Sequence, residues 1–509
     1  MNLSLGVVLL GMASAANAEW RRFETAHFII YSESNEEKAT QFATRLESID
    51  SLMHMATNLA DDVEPVKVRI YEVADEAAVQ AAIDAPDSGI VGFYTSNSMG
   101  PYAVTLRRIV ADVGYFPPEL VLHHEYAHHF MLQYFPASYP LWYTEGFAEL
   151  IGASKVESNG KVDYGFPAKY RGNSIVASWV PMRDVLLKPI DKLRGFDPYA
   201  QGWAITHFLT FNKERAQQLR QFLAALSSGR TPEEAAKAFG DLDQLDREAR
   251  AYVGRGSFEY RPVKPPVAEP VIKRIELVPP AEAALIPETI AFSDTSLDAY
   301  RKAGDREDER KRRARVLERV REEVARYPND PYALYLLAEV ENAEGNAAAS
   351  EAATDRLLAI QPNNARALSR KSELLSDAAA KLAGQARTDK AAQARHLAVL
   401  ANKADPNEPR ALVAFYESFR AIGARPTKDA ITGLEAAVAT LPRDIGIRQM
   451  LVDQYSSERR WADAIRTLGP IASALDKSPL SVAIRQKMDW LKEQLAKQQG
   501  APAAPAKAN

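Results

Sequence analysis

The segment His123-His124-Glu125-Tyr126-Ala127-His128-His129-Phe130 holds the pattern H-E-x-x-H in His124, Glu125 and His128. Residues four apart on a helix share a face, so His124 and His128 can offer two imidazole nitrogens to one metal ion. Glu125 lies beside them and can serve as general base on the open side of that ion. Seventeen residues past His128 (145 − 128) comes a second segment, Trp142-Tyr143-Thr144-Glu145-Gly146-Phe147-Ala148-Glu149. A catalytic zinc takes three protein ligands and keeps one position for water, and Glu145 or Glu149 can supply the third. The chain has no cysteine, so any metal is held by nitrogen and oxygen donors, and disulfides and thiol nucleophiles are excluded. These residues predict a Zn2+-dependent hydrolase. His123 and His129 face other ways on the helix and read as flanking residues. His27, His54, His207 and His396 are scattered and read as packed or solvated.

The elements that must position these groups are mixed at first. His27–Tyr31 and Val66–Tyr71 read as strands, with a long amphipathic helix from Asn35 to about Leu59 between them. Tyr102–Ile109 reads as a third strand, able to pair with an extended substrate as a sheet edge. Pro117-Pro118 opens the helix of the histidine motif. Beyond Glu145 the pattern is helical: Tyr199–Phe211, Lys213–Leu226, and a helix started by the capping box of Thr231-Pro232-Glu233-Glu234.

The Trp142–Ala148 segment resembles the W-L-x-E-G-x-A segment of gluzincin peptidases, such as the aminopeptidase N and glycyl aminopeptidase families. That resemblance implies a zincin-like α+β fold and makes Glu145 the third zinc ligand, together with His124 and His128. It also implies a catalytic tyrosine in a P-Y-x-K-G segment. Asp197-Pro198-Tyr199-Ala200-Gln201-Gly202 is similar, with Gln201 in place of the lysine, and puts that role on Tyr199. With Glu145 as ligand, Glu149 sits one turn on and can accept a hydrogen bond from the free ring nitrogen of His124 or His128. The resemblance covers roughly residues 23–211 and is strong at the two zinc-binding segments. It is to the broad bacterial peptidase MA-like group more than to a true aminopeptidase: Ser98-Met99-Gly100-Pro101-Tyr102 lacks the glutamate of the G-x-M-E-N segment that anchors a free amine, which points to an endopeptidase. The longer zincin pattern fails here, because Met131 and Tyr134 stand where it needs glycine and histidine.

At 509 residues the chain exceeds one core. Prolines 262, 265, 266, 270, 279, 280 and 287 mark a linker. After it the sequence repeats. Tyr327-Pro328-Asn329-Asp330 returns as Gln361-Pro362-Asn363-Asn364, Asp405-Pro406-Asn407-Glu408 and Leu441-Pro442-Arg443-Asp444, at steps of 34, 44 and 36 (362 − 328, 406 − 362, 442 − 406). Helix pairs of this length resemble the tetratricopeptide repeat, and the long step places an insertion near 379–388. The expected organisation is a signal peptide at 1–18, a peptidase domain at 19–258, a linker at 259–295, an all-α tetratricopeptide-like solenoid at 296–495 and a tail at 496–509. Residues 3–16 are apolar but too short to span a bilayer, and Ala16-Asn17-Ala18 fits signal cleavage, so an exported protein is expected, periplasmic or secreted. A net charge of −4, from 63 basic and 67 acidic residues, implies no nucleic-acid partner. No segment is apolar enough for a membrane span. The function expected is zinc-dependent hydrolysis of peptide bonds, with the repeats binding a protein substrate or partner. Two alternatives are a catalytically quiet gluzincin-like scaffold acting as an interaction adaptor, and a zinc hydrolase of non-peptide bonds.

Overall fold

A computed structural model describes residues 19–60, 66–83, 85, 88–97, 99–107, 118–135, 137–292, 303–472 and 478–500. The expected signal peptide, Pro117, residues 108–109 of the third strand and the start of the solenoid at 296–302 lie outside the described residues, as does the tail beyond 500. Helix accounts for 65% of the described residues; the fold is mostly helical, with a small mixed sheet near the N-terminus and a helical repeat array in the second half.

The sheet is built from β1 (Arg21–Glu24), β2 (Phe28–Ser32), β3 (Val68–Val73), β4 (Phe93–Asn97) and β5 (Gly100–Leu106). Alternation of apolar side chains fixes its two faces. Phe28 and Ile30 of β2, with Val68 and Ile70 of β3, pack under the helices Glu36–Thr57 and Pro118–Tyr134. Tyr31, Tyr71 and Tyr102 point to the other face. β2, β3 and β5 run parallel, whereas β1 and β4 are antiparallel to their neighbours. β6 (Lys155–Val156) and β7 (Val162–Tyr164) form a hairpin just after the Glu145 helix.

Two expectations are corrected here. The third strand is not an edge: β5 lies between β3 and β4, and β4 is the outer strand. Asn97 pairs with Gly100 across a tight turn, and Gly100 takes a positive φ of 108° there. The polar run Thr95-Ser96-Asn97 hides β4 from a reading of hydrophobic alternation. The proline-rich stretch at 259–295 is likewise not a bare linker. It carries β8 (Arg261–Val263), which extends the β6–β7 hairpin, and β9 (Arg274–Leu277), which pairs with β1. Both are outer strands, where a missing N–H at proline is tolerated. The short helices Pro280–Ala284 and Ile286–Ala291 follow, and Leu285, Ile286 and Ile290 are buried, the last two against the tyrosine face of the sheet.

Among the described residues ten helices follow, from Ala303 to Gln498. Consecutive helices joined by short turns pack side by side as hairpins. The fourth residue of each repeated motif caps the next helix: Asp330, Asn364, Glu408 and Asp444 accept from the backbone N–H of Ala333, Ala367, Arg410 and Ile447. Each such cap stabilises its helix by about 1 kcal/mol, which explains why the motif returns. The 44-residue step needs no inserted loop. Its helices are longer, 16 residues in Ala365–Ala380 and 21 in Gly384–Ala404, against 13 in Pro331–Ala343 and 14 in Ala347–Ile360. The last helix, Pro479–Gln498, runs through the residues where the tail was expected to begin.

Candidate functional site

Two helices carry the candidate metal ligands, and a third locks one of them in place. The helix Pro118–Tyr134 holds His124, Glu125 and His128, and Leu141–Gly152 holds Glu145 and Glu149. Ala200–Phe211 begins directly after Tyr199. Glycine lets the second and third approach closely: a Cβ at Gly146 would collide with Thr206 Oγ1 and the Gly202 carbonyl oxygen, and one at Gly202 would lie 2.7 Å from the Trp142 oxygen. Gly146→Ala therefore has to push backbone against backbone. We expect a loss of roughly 1–3 kcal/mol, read as a lower melting temperature, with metal content reduced because Glu145 precedes the displaced position.

His124 Nε2 and His128 Nε2 lie 3.2 Å apart, and Glu145 Oε2 is 3.4 Å from the first and 3.3 Å from the second. Tetrahedral zinc with bonds of about 2.0–2.2 Å separates its donor atoms by roughly 3.3–3.5 Å. The triangle has the size that zinc requires, and no Glu145 Oε2 hydrogen bond competes for it. Burial would raise the Glu145 carboxyl, but the two imidazoles outweigh it and hold it at about 2. Burial would lower His124; Glu145, Glu149 and Glu125 around it raise it instead. Three anionic groups around one imidazole form a site matched to a cation.

Glu149 is 1% exposed, and its Oε1 lies 3.4 Å from His124 Nδ1, the ring nitrogen turned away from the triangle. Arg171 grips both of its oxygens, Nη2 at 2.6 Å from Oε1 and Nε at 3.2 Å from Oε2, and the Tyr170 hydroxyl donates to Oε2 at 2.9 Å. Such a buried carboxylate fixes the orientation and tautomer of the histidine it faces. Arg171 also stacks on the Tyr199 ring, 5.0 Å from its centroid. Tyr199 is 38% exposed, its ring 6.1 Å from that of His124. Burial and the charges of Glu145 and Glu125 push its hydroxyl up to about 12, so it remains a donor at neutral pH. Gln201, standing where the family has lysine, is fully occupied with the Val180 backbone.

Glu125 is reached from the far half of the chain. Arg443 Nη1 lies 3.4 Å from Glu125 Oε2, and the guanidinium sits 4.9 Å over the ring of Tyr94 on β4. The Tyr94 hydroxyl is 2.7 Å from His129 Nδ1, and burial, reinforced by Arg443, lowers His129 to about 3 and keeps it neutral. Nothing in the spacing of the first half could point to Arg443. The signal lies in the repeats: the position filled by Asn329, Asn363 and Asn407 is arginine in the fourth copy alone.

His27 and His54 are not scattered. Their ring nitrogens converge with Asp50 beneath the histidine helix, all three buried. His27 Nε2 is 3.3 Å and His54 Nε2 3.7 Å from Asp50 Oδ2; the other Asp50 oxygen accepts from Tyr126, 2.6 Å away. Glu47 binds His27 Nδ1 at 2.7 Å. His27 set between Glu47 and Asp50 accounts for this group as a buried polar cluster anchoring the helix of His124, and burial pushes the Asp50 carboxyl up to about 6. His207 is a packing residue, held between the Gly165 carbonyl and the Tyr252 hydroxyl.

No protein-family model matches the chain, and no curated protein sequence matches it. Solved structures with similar segments include a thermophilic TPR protein of Thermus thermophilus, at 22% identity and a TM-score of 0.30 over 36% of this chain and 91% of that one. A tetratricopeptide repeat protein from Parabacteroides merdae is similar at 12% identity and a TM-score of 0.28, over 58% of this chain and 95% of the other. Yeast Tom70 is similar at 11% identity and 0.26, over 74% and 69%. These scores assign no fold to the whole chain. The stacked helix pairs of the second half are themselves tetratricopeptide-like, an architecture suited to binding protein partners.

Proposed function

We propose that the chain is a zinc-dependent peptidase of gluzincin type, acting within protein substrates, whose helical repeats hold the substrate or a partner. The observation that carries this reading is the triangle of His124 Nε2, His128 Nε2 and Glu145 Oε2, with Glu125 one residue from the first ligand. These three residues would hold the metal. When bound, zinc supplies Lewis acidity, which acidifies water and polarises a carbonyl. Glu125 accepts the proton of the attacking water at its carboxylate and returns it to the leaving amine. The Tyr199 hydroxyl donates a hydrogen bond to the scissile carbonyl oxygen as it gains charge. Glu149 holds the His124 ring, and β4 offers the open sheet edge beside the histidine helix along which an extended peptide can pair.

Zinc-loaded protein offered a denatured protein such as casein should produce internal cleavages, and a chelator should abolish them. Intact substrate after incubation with metal-loaded protein would defeat the reading. Tyr199→Phe is expected to lower kcat about 100-fold with zinc content unchanged; an unaltered kcat would remove Tyr199 from the chemistry.

A second reading makes the repeats the working part, with the first half a quiet scaffold. Arg443 already engages the carboxylate of Glu125, which favours this adaptor over the enzyme. The converging donor triangle and the buried support of Glu149 favour the enzyme, because a scaffold has no use for them.

A further inference from the structure

Beside the metal-binding triangle the two halves of the chain enclose a cavity of about 280 Å³. His128 and Glu145 are among the residues that line it. One wall belongs to the histidine helix and the turn after it, with Leu132 and Phe135. The facing wall belongs to the last repeat helices, with Ile471, Leu480 and Ile484. The halves are held at close range there: a Cβ at Gly469 would meet Ser138 Cβ at 3.0 Å. Arg443, at the start of the same repeat, also lines the cavity and touches Glu125.

We propose that this cavity is a specificity pocket built jointly by the catalytic helices and the repeats, and that it takes a bulky aliphatic side chain of the peptide residue flanking the scissile bond. The proposal rests on the metal-site reading above. Three features carry it. The cavity opens on two of the three ligand residues, so a peptide with its carbonyl at that site has a neighbouring side chain at the cavity mouth. Its volume of about 280 Å³ leaves room for a large side chain. Away from His128, Thr144, Glu145, Arg443 and Ser481 its lining is aliphatic and aromatic, and a charged side chain seated against that part would lose its hydration. The repeats thus select the substrate at the bond itself.

The test is calorimetric titration of zinc-loaded protein with peptide hydroxamates that differ only in the side chain adjoining the chelating group, isobutyl or hydrogen. In wild type the isobutyl compound should bind about 10- to 100-fold more tightly, as burial of a leucine side chain implies. In Leu480→Trp, where the indole fills the pocket, that ratio should fall to near unity. Ile471→Ala, which enlarges the same wall, should favour a benzyl over an isobutyl compound. It serves as the measurement if the tryptophan variant does not fold. Equal binding of the two compounds by wild type, or a preference that both variants leave unaltered, overturns the pocket while the metal site stands. Failure of zinc-loaded wild type to bind either compound overturns the metal-site reading and the pocket with it.

Discussion

Glu125→Gln is expected to lower kcat by about 10³-fold, or roughly 4 kcal/mol in the barrier, while one zinc per chain is retained. The amide keeps the shape of the side chain and its place opposite Arg443 but cannot accept a proton from water. Glu125 lies outside the triangle of His124, His128 and Glu145, so its replacement leaves every ligand in position. Zinc content by mass spectrometry, measured beside turnover, separates two outcomes. Activity lost with metal retained assigns the general base. Metal lost with activity makes Glu125 a ligand and overturns the arrangement.

Glu145→Ala is expected to empty the site. Removal of a residue that only supports a ligand weakens metal binding by about 10- to 100-fold, and removal of a direct ligand exceeds that. The comparison with Glu149→Ala decides between the two carboxylates of the same helix. Glu149 faces His124 Nδ1 and is gripped by Arg171 and Tyr170, so its loss should reduce affinity within that lower range. It should also destabilise the fold, because Arg171 and Tyr170 both lose the buried carboxylate they hold. Zinc retained by Glu145→Ala and lost by Glu149→Ala would exchange the roles.

What the sequence disclosed depended on the distance over which each signal acts. The histidine pair was legible because helical geometry ties positions four apart; that geometry left Glu145 and Glu149 both open, and only the resemblance to the W-L-x-E-G-x-A segment singled out Glu145. The repeat motif was legible because each copy caps a helix locally. Arg171 and Arg443 were not, for neither has a fixed spacing to the carboxylate it reaches, 22 and 318 residues away. The His27, Asp50 and His54 group was hidden because the bend before β2 and a distant part of the following helix supply its members. β8 and β9 were hidden by their prolines: the prolines beside and within these strands suppress the strand pattern, yet an outer strand can spare the missing donors.

The pairing of β9 with β1 ties the beginning of the folded chain to a segment some 250 residues later (274 − 24). A polypeptide emerging N-terminus first has Arg21–Glu24 long before Arg274–Leu277 arrives, so one flank of the sheet stays open until most of the first half has been made. Non-local pairing of this kind slows folding, and an open strand edge is a template for association with other chains. A fragment ended at residue 258 would keep that flank open permanently and also lose the helices that cover the tyrosine face. The first half is therefore not a detachable module: a fragment that stays monomeric is expected only where the chain continues at least through Ala291.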